Sequence, residues 1–397
     1  MAQKKHAVIV GGGVSKFGVR QATLFDMVQE AARACADDIP ALKPEKIDGL
    51  LFCSTKVGRH SNALNTAPLI AHRLGLKPTS ICTRLDTLCA GSNTGIILAK
   101  GLIESGIAEV VLVTGAEKSY LPQRWETNYT ELAVNDHDWD SAMGLGVPPP
   151  FFAMIAKMHM KRYGTTKEQM ASVSVANYNY GSTNPKAHFY PNTLTMEEAL
   201  KARLIADPFG LFDCCPLSDG ASAVIIASEE RAKELSERPL VYIRGTGQHA
   251  THSMSAGWPG ETLAEWPHMK KAAEVAYKNA QVGPKDIDVA QTHDCFSISE
   301  IIEMEELGFC KKGEGGAYVA SGAIKIDGEH PTNTDGGLLS HGHPFGASGA
   351  RQSLELCRQL QGRAINQVKN PKIALAHNLS GACAQHTVVI YGAEPVE

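Results

Sequence analysis

Lys43-Pro44-Glu45-Lys46-Ile47-Asp48-Gly49-Leu50 has a counterpart 240 positions later in Gly283-Pro284-Lys285-Asp286-Ile287-Asp288-Val289-Ala290. In both copies an alanine-rich helical pattern, Ala34-Cys35-Ala36-Asp37 before the first and Ala276-Tyr277-Lys278-Asn279 before the second, ends at a proline-containing turn. An Ile-Asp pair then opens an apolar run of strand length. The elements downstream of each copy repeat their order as well. After the first copy come a glycine-containing segment with a helix from Cys89 to about Ser105, a strand Glu109–Val113 and a late strand Ala223–Ile226. After the second come the glycine-rich run Gly336–Gly349, a helix over Ala350–Leu360, a strand opening at Lys372 and a late strand Thr387–Tyr391. Near-continuous apolar strands alternating with helical patterns belong in sheets covered on both faces. The sequence therefore predicts an α/β fold of two duplicated halves, packed as a layered αβαβα body.

Residues 1–120, completed by 209–235, make the N-terminal half, and residues 236–397 the C-terminal half. Residues 121–208 read as an inserted loop domain rich in Trp, Tyr, Asn, Pro and Met, with an amphipathic helical piece over Phe152–Met160. Such an insertion is expected to form a lid or a binding loop. Gly11-Gly12-Gly13 after the first strand reads as a simple turn, because Lys16 stands where a GxGxxG dinucleotide motif needs glycine.

The 397 residues carry 38 Lys+Arg against 42 Asp+Glu, a formal net charge of −4, which excludes a basic nucleic-acid-binding surface. A hydrophobic content of 43% supports a large core in an ordinary soluble protein. No run approaches the roughly 18 uninterrupted apolar residues of a membrane span. The opening strand is too short for a signal peptide, and Glu394-Pro395-Val396-Glu397 carries no peroxisomal or lipidation signal, so a cytoplasmic location is expected. Ten cysteines, with only Cys214 and Cys215 adjacent, give neither a zinc pair nor a disulfide scaffold. They are expected to be reduced and mostly buried, with one or two reactive.

Four segments carry chemistry. In Asp86-Thr87-Leu88-Cys89-Ala90-Gly91-Ser92, Cys89 stands at the start of an apolar helix, where free backbone N–H groups and the helix dipole favour a thiolate. Thr292-His293-Asp294-Cys295-Phe296 follows the second Ile-Asp strand, at the strand end where α/β sheets place ligands. Strand alternation puts His293 and Cys295 on one side and Asp294 and Phe296 on the other. Gly336–Gly349 holds five glycines with Ser340-His341-Gly342-His343-Pro344 in their midst; it lacks the Gly-Lys-Ser/Thr of a phosphate loop, and His341 with His343 lacks further metal ligands. In His377-Asn378-Leu379-Ser380-Gly381-Ala382-Cys383-Ala384, small residues can bring backbone N–H groups to a carbonyl oxygen. Two acidic stretches read as solvated: the Asn135–Asp140 tract, and a helix whose wet face holds Glu300, Glu303, Glu305 and Glu306.

Taken in order, Leu88-Cys89-Ala90-Gly91, His293-Asp294-Cys295-Phe296, Gly342-His343-Pro344 with Gly346 and Gly349, and the Asn378 to Gly381 loop resemble the thiolase superfamily over essentially the whole chain. The HDCF variant and the continuation Glu306-Leu307-Gly308-Phe309-Cys310 to Gly316 are similar to the sterol-carrier-type and archaeal-type thiolases. Biosynthetic thiolases carry NEAF and CxG instead. Here Asn378-Leu379-Ser380 departs from CxG, and Cys295 is the natural replacement for its acid/base cysteine.

The resemblance implies that Cys89, as thiolate, attacks the 3-keto carbon of a 3-oxoacyl-CoA. His343 takes the thiol proton, His293 positions a water at the oxyanion, and Cys295 protonates the departing enolate. Ser348, Asn378, Ser380 and Gly381 are the implied substrate- and CoA-binding residues. Coenzyme A is implied as co-substrate, with no bound cofactor and no metal, flavin or nicotinamide. Implied partners are a second copy in a homodimer or higher oligomer and a small zinc-ribbon/OB-fold subunit, with neither nucleic acid nor membrane. Trp125, Tyr129, Trp139, Phe151 and Phe152 in the insertion suit a bulky or aromatic acyl group, as in thiolases that cleave benzoylsuccinyl-CoA. The alternatives are an archaeal acetoacetyl-CoA thiolase, a ketosynthase, a side-chain retro-aldolase and a non-catalytic acyl-CoA-binding scaffold. Cys89 disfavours the aldolase, which needs no acyl-enzyme, and Cys295 beside the two histidine motifs disfavours a decarboxylating ketosynthase. A silent scaffold has no need of a matched nucleophile, acid and base.

Overall fold

The computed structural model describes residues 5–120, 145–251, 258 and 260–396. Its frame is a sheet of nine strands: β1 Ala7–Val14, β2 Gly49–Cys53, β3 Ile81–Leu85, β4 Val110–Glu117, β7 Gly220–Ser228, β8 Val241–Ala250, β9 Val289–Gln291, β10 Ile373–Ser380 and β11 Gln385–Gly392. A separate hairpin, β5 Leu204–Ala206 with β6 Phe209–Gly210, belongs to the insertion. The order across the sheet is β3-β2-β4-β7-β1-β8-β11-β10-β9. Outward from the β1/β8 junction, each side runs antiparallel, antiparallel, then parallel. The duplication seen in the sequence is thus a duplication of strand order. In the second half the counterpart of β3 has shrunk to one parallel bridge, Ala290 to Thr332.

Seven helices set the layers: α1 Leu24–Asp38, α2 Gly91–Glu104, α3 Pro148–Tyr163, α4 Lys167–Gly181, α5 Pro267–Ala280, α6 Ser297–Glu306 and α7 Phe345–Leu360. Strand side chains alternate between faces, so Leu112 and Ile225 meet Met27, Val28 and Ala31 of α1 on the outside. Their neighbours Val111 and Val224 turn inward to Ile96 and Ile103 of α2 and Ala350 and Leu354 of α7. Val389 and Ala376 of the second half reach the same inner cluster, while Val388 and Leu375 face Ala272 and Ala276 of α5. Helices α2 and α7 therefore lie between the halves, giving the expected αβαβα layering.

Gly11–Gly13 lie inside β1 and form no turn. A Cβ on Gly13 would fall 2.3 Å from the Cys35 backbone nitrogen, so the missing side chain lets α1 press onto the sheet. Gly247 of β8 does the same for α5, with the Ala272 carbonyl 1.9 Å from a Cβ built there.

The acidic face of α6 is likewise buried, contrary to the solvated reading. This helix is roofed by the insertion: Glu300 accepts from Asn177 of α4 at 3.0 Å, and Glu305 meets His159 of α3 at 3.1 Å. Lys312 pairs with Glu305 and Glu306 at 3.1 and 2.8 Å. A carboxylate-rich stripe can be buried when each acid is given a donor or keeps its proton. Phe151 and Phe152 are also core residues; Phe152 stacks on Phe296 with ring centroids 4.5 Å apart, so these two are packing anchors and not an acyl pocket. Trp125, Tyr129, Trp139 and the Asn135–Asp140 tract lie outside the described residues.

Gly13→Val and Gly247→Val are each expected to lower the unfolding free energy by about 1–3 kcal/mol through overpacking of a helix on the sheet. Urea denaturation measures this, and a change below about 0.5 kcal/mol in both would show that the helices have room to move.

Candidate active site

The loops after β3, β9 and β10 and the run before α7 converge on one chamber. Cys89 sits in a 3-10 turn, Leu88–Ala90, two residues before the start of α2. Leu88 adopts a left-handed φ of 50°, uncommon for a residue with a Cβ, and the Asp86 carboxylate accepts its N–H at 3.2 Å. That turn points the thiol inward. Phe345 packs against Cys89, and the Lys56 ammonium lies 4.9 Å from the Phe345 ring centre.

The thiol faces an imidazole from the other half. His343 Nε2 lies 3.3 Å from Cys89 Sγ. On the far side of that ring, Nδ1 is 2.8 Å from Ser348 Oγ, whose hydroxyl donates to the Pro344 carbonyl at 3.0 Å. Ser348 Oγ is then an acceptor toward the ring, so Nδ1 carries the proton and Nε2 presents its lone pair to the thiol. Helix α7 begins at Phe345, five residues before the sequence-based boundary, and this is what turns Ser348 back under His343. Ser348 is buried behind the imidazole.

His293 follows β9 and meets His343 edge to face, 4.9 Å between ring centres. The Asn378 amide donates toward His293 Nδ1 at 3.4 Å, while Nε2 is buried without a hydrogen-bond partner among the described residues. Asn378 thus stands behind His293 as Ser348 stands behind His343. The strand ends at Gln291, and the alternation expected across His293–Cys295 is replaced by a tight turn in which the Cys295 N–H donates to the His293 carbonyl at 2.7 Å; Asp294 at its centre points away and accepts from the backbone of Leu338 and Leu339 at 2.7 and 3.1 Å. Cys295 Sγ lies 3.6 Å from Ser299 Oγ on α6. The Gly381 N–H points at Cys89 Sγ from the loop after β10, whose Ser380 remains on its buried flank.

These groups are buried, and their electrostatics reflect that. Burial pushes the Cys89 thiol up to about 12, with the Glu117 carboxylate adding to the shift and the N–H groups of Gly381 and Cys89 opposing it. Burial pulls His343 down to about 3, with the Arg351 guanidinium and Lys56 in the same direction. His293 is lowered and Cys295 raised, in each case chiefly by burial. Both shifts favour a neutral thiol beside a neutral imidazole. Burial thus works against the thiolate that the helix start at Cys89 favours.

Cys89, His293 and His343 are also the one set of potential metal ligands that converge among the described residues, their ligating atoms all within 4.8 Å of one another. A metal there would occupy the nucleophile itself. His341, by contrast, binds Asp335 through Nδ1 at 2.9 Å and takes no part in the chamber.

Several residues of the site carry no motif in the sequence. Glu117 at the end of β4 accepts from the backbone of Thr55 at 2.7 Å, Lys56 at 3.2 Å and Gly346 at 3.3 Å, tying the first half to the start of α7. Arg351 is buried on α7 against Asp335 and Gln291. Cys215, unremarkable as half of an adjacent pair, donates its N–H to the Cys295 carbonyl at 3.0 Å.

Known proteins share this body. The family model "Thiolase, N-terminal domain" matches residues 7–230, and "Thiolase C-terminal domain-like" matches residues 247–393. An acetyl-CoA acetyltransferase of Methanothermobacter thermautotrophicus is 34% identical across 98% of this chain and 99% of its own length. The benzoylsuccinyl-CoA thiolase subunit BbsB of Thauera aromatica is 29% identical across 96% of this chain and 97% of its own. Among solved structures, the Ltp2-ChsH2(DUF35) aldolase superposes with a TM-score of 0.83 at 28% identity, covering 98% of this chain and 97% of that one. With both family models aligned to its two duplicated halves, the chain belongs to the thiolase family.

Proposed function

We propose that this protein is a CoA-dependent thiolase acting on a 3-oxoacyl-CoA through an acyl-enzyme on Cys89. The observation that carries this reading is the 3.3 Å approach of His343 Nε2 to Cys89 Sγ, with the proton of that ring fixed on Nδ1. Because thiol and imidazole are both neutral at rest, the proton moves to Nε2 as Sγ attacks the 3-keto carbon. The developing oxyanion is met by the His293 Nε2 edge, free of hydrogen-bond partners among the described residues. The C2–C3 bond then breaks, leaving its electron pair on the CoA ester as an enolate, and Cys295 gives that carbon its proton. The thiol of incoming CoA passes its proton to the Cys295 thiolate, its sulfur takes the acyl group, and His343 returns its proton to Cys89. The second oxyanion is held by the N–H groups of Cys89 and Gly381. Ser348 and Asn378 act by orienting the two imidazoles.

Cleavage and Claisen condensation share these groups. The relatives named for acetyl and for benzoylsuccinyl thioesters mark two ends of the acyl range. Rates across short, branched and aryl 3-oxoacyl-CoAs place this enzyme on it. An aldolase reading, raised by the name of one similar structure, leaves the Cys89–His343 pair without work, since aldol cleavage forms no acyl-enzyme. That structure's name also pairs its chain with a DUF35 protein, which supports a small CoA-handling subunit here in addition to self-association.

Cys89→Ser is expected to reduce CoA-dependent cleavage at least about a hundredfold and to leave no acyl adduct by intact-protein mass spectrometry; full activity would defeat the covalent mechanism. With burial pushing the Cys89 thiol up to about 12 and pulling the His343 imidazole down to about 3, both groups are expected to stay neutral in between. The ultraviolet thiolate absorbance lost in Cys89→Ala should thus be nil from about pH 6 to 9. A signal there would restore the preformed ion pair. Full activity of a purified homo-oligomer, unchanged by a co-expressed small subunit, would count against the partner.

A further inference from the structure

Beneath Cys295 lies a line of titratable side chains that acyl transfer itself does not use. Ser299, in contact with the Cys295 thiol, and Glu303 are one helical turn apart on α6, on the same face. The Glu303 carboxyl lies against the Thr292 hydroxyl and the His293 backbone, directly under the chamber. On its other side Glu303 Oε1 is 3.5 Å from His377 Nδ1, and His377 Nε2 is 3.1 Å from His386 Nδ1. His386 is paired in register with His249 on β8, so the two side chains share a face. His249 stacks on His268, ring centres 5.0 Å apart, and is only half-buried. Glu303, His377 and His386 are fully buried.

We propose that Glu303, His377 and His386 form a proton path between Cys295 and solvent at His249. The inference rests on the assignment of Cys295 as the proton donor. Burial raises Glu303 to about 8 and lowers His377 to about 3, so at rest the acid is protonated and the imidazoles are neutral. An imidazole passes a proton by accepting on one nitrogen and releasing from the other. The Cys383 carbonyl supports His386 in its charged form.

The path meets a need of the chemistry. Cys295 rests as a thiol, which suits it as an acid in cleavage. As a base for condensation it must first lose that proton. The proton passes to the Ser299 hydroxyl, 3.6 Å from the thiol, which yields its own toward Glu303 one turn on as Glu303 yields its own to His377 Nδ1, His377 Nε2 yields to His386, and His386 releases one toward water at His249. One proton leaves and Cys295 is left as thiolate. Recharging runs the steps in reverse. Glu303, His377 and His386 touch no reacting atom and are positioning residues for this proton.

The test is deuterium wash-in to the methyl group of acetyl-CoA in D2O, normalised to the rate of Cys89 acylation by the same thioester. In Glu303→Gln and in His249→Phe, the latter at the half-exposed end, wash-in should fall at least about tenfold while acylation stays within about twofold. Wash-in that keeps pace with acylation in either variant overturns the path. Cys295→Ala separates the two levels of inference: wash-in surviving that change would sink the role of Cys295 itself, whereas its loss there, with wash-in intact in Glu303→Gln, would sink only the path.

Discussion

The approach of Cys89 to His343 joins the two halves of the molecule at one proton. Each residue stands two positions before the first turn of its own half's central helix, Cys89 before α2 and His343 before α7. These helices occupy equivalent places in the duplicated strand order and pack side by side between the two halves of the sheet. A nucleophile and a base brought together in this way cannot drift apart without separating the halves. Glu117 fastens the same junction, gathering backbone N–H groups from the loop after β2 and from Gly346 into one buried carboxylate.

Burial then bears on the chemistry. A charged resting pair in this chamber would carry the desolvation cost of two ions, whereas the neutral pair carries none. Ser348 fixes the tautomer and Asn378 fixes the second imidazole, so what is prepared in advance is direction, with charge created only as the acyl bond forms. The same burial that keeps Cys89 protonated keeps Cys295 protonated.

What the sequence made legible was local and periodic. The repeated Ile-Asp strands and the glycine-rich run gave the duplicated body. Asp294 turns away to the Leu338 and Leu339 amides as the sequence predicts, but through a tight turn at His293–Cys295 and not through strand alternation. What it hid depends on distant segments. Gly11–Gly13 look like a turn until α1 is laid over them, and the α6 glutamates look wet until α3 and α4 cover them. Glu117 and Arg351 carry no pattern of their own, because a buried charge is recognised only by the groups that surround it.

Duplication explains why the site is asymmetric although its frame is not. Two equivalent helix starts entered the interface between the halves, and a single chamber needs one nucleophile and one base. The first half kept β3 and the turn that aims Cys89. In the second half, the edge strand dwindled to a bridge at Thr332, and the chain between β9 and α7 became α6 and the long run to His343. The helix that follows β9, covered by α3 and α4, brings Ser299 and Glu303 beneath the chamber and puts histidines of β10 and β11 within reach of them. In the proposed mechanism, one half thus carries the sulfur that takes the acyl group, and the other carries the groups that move protons.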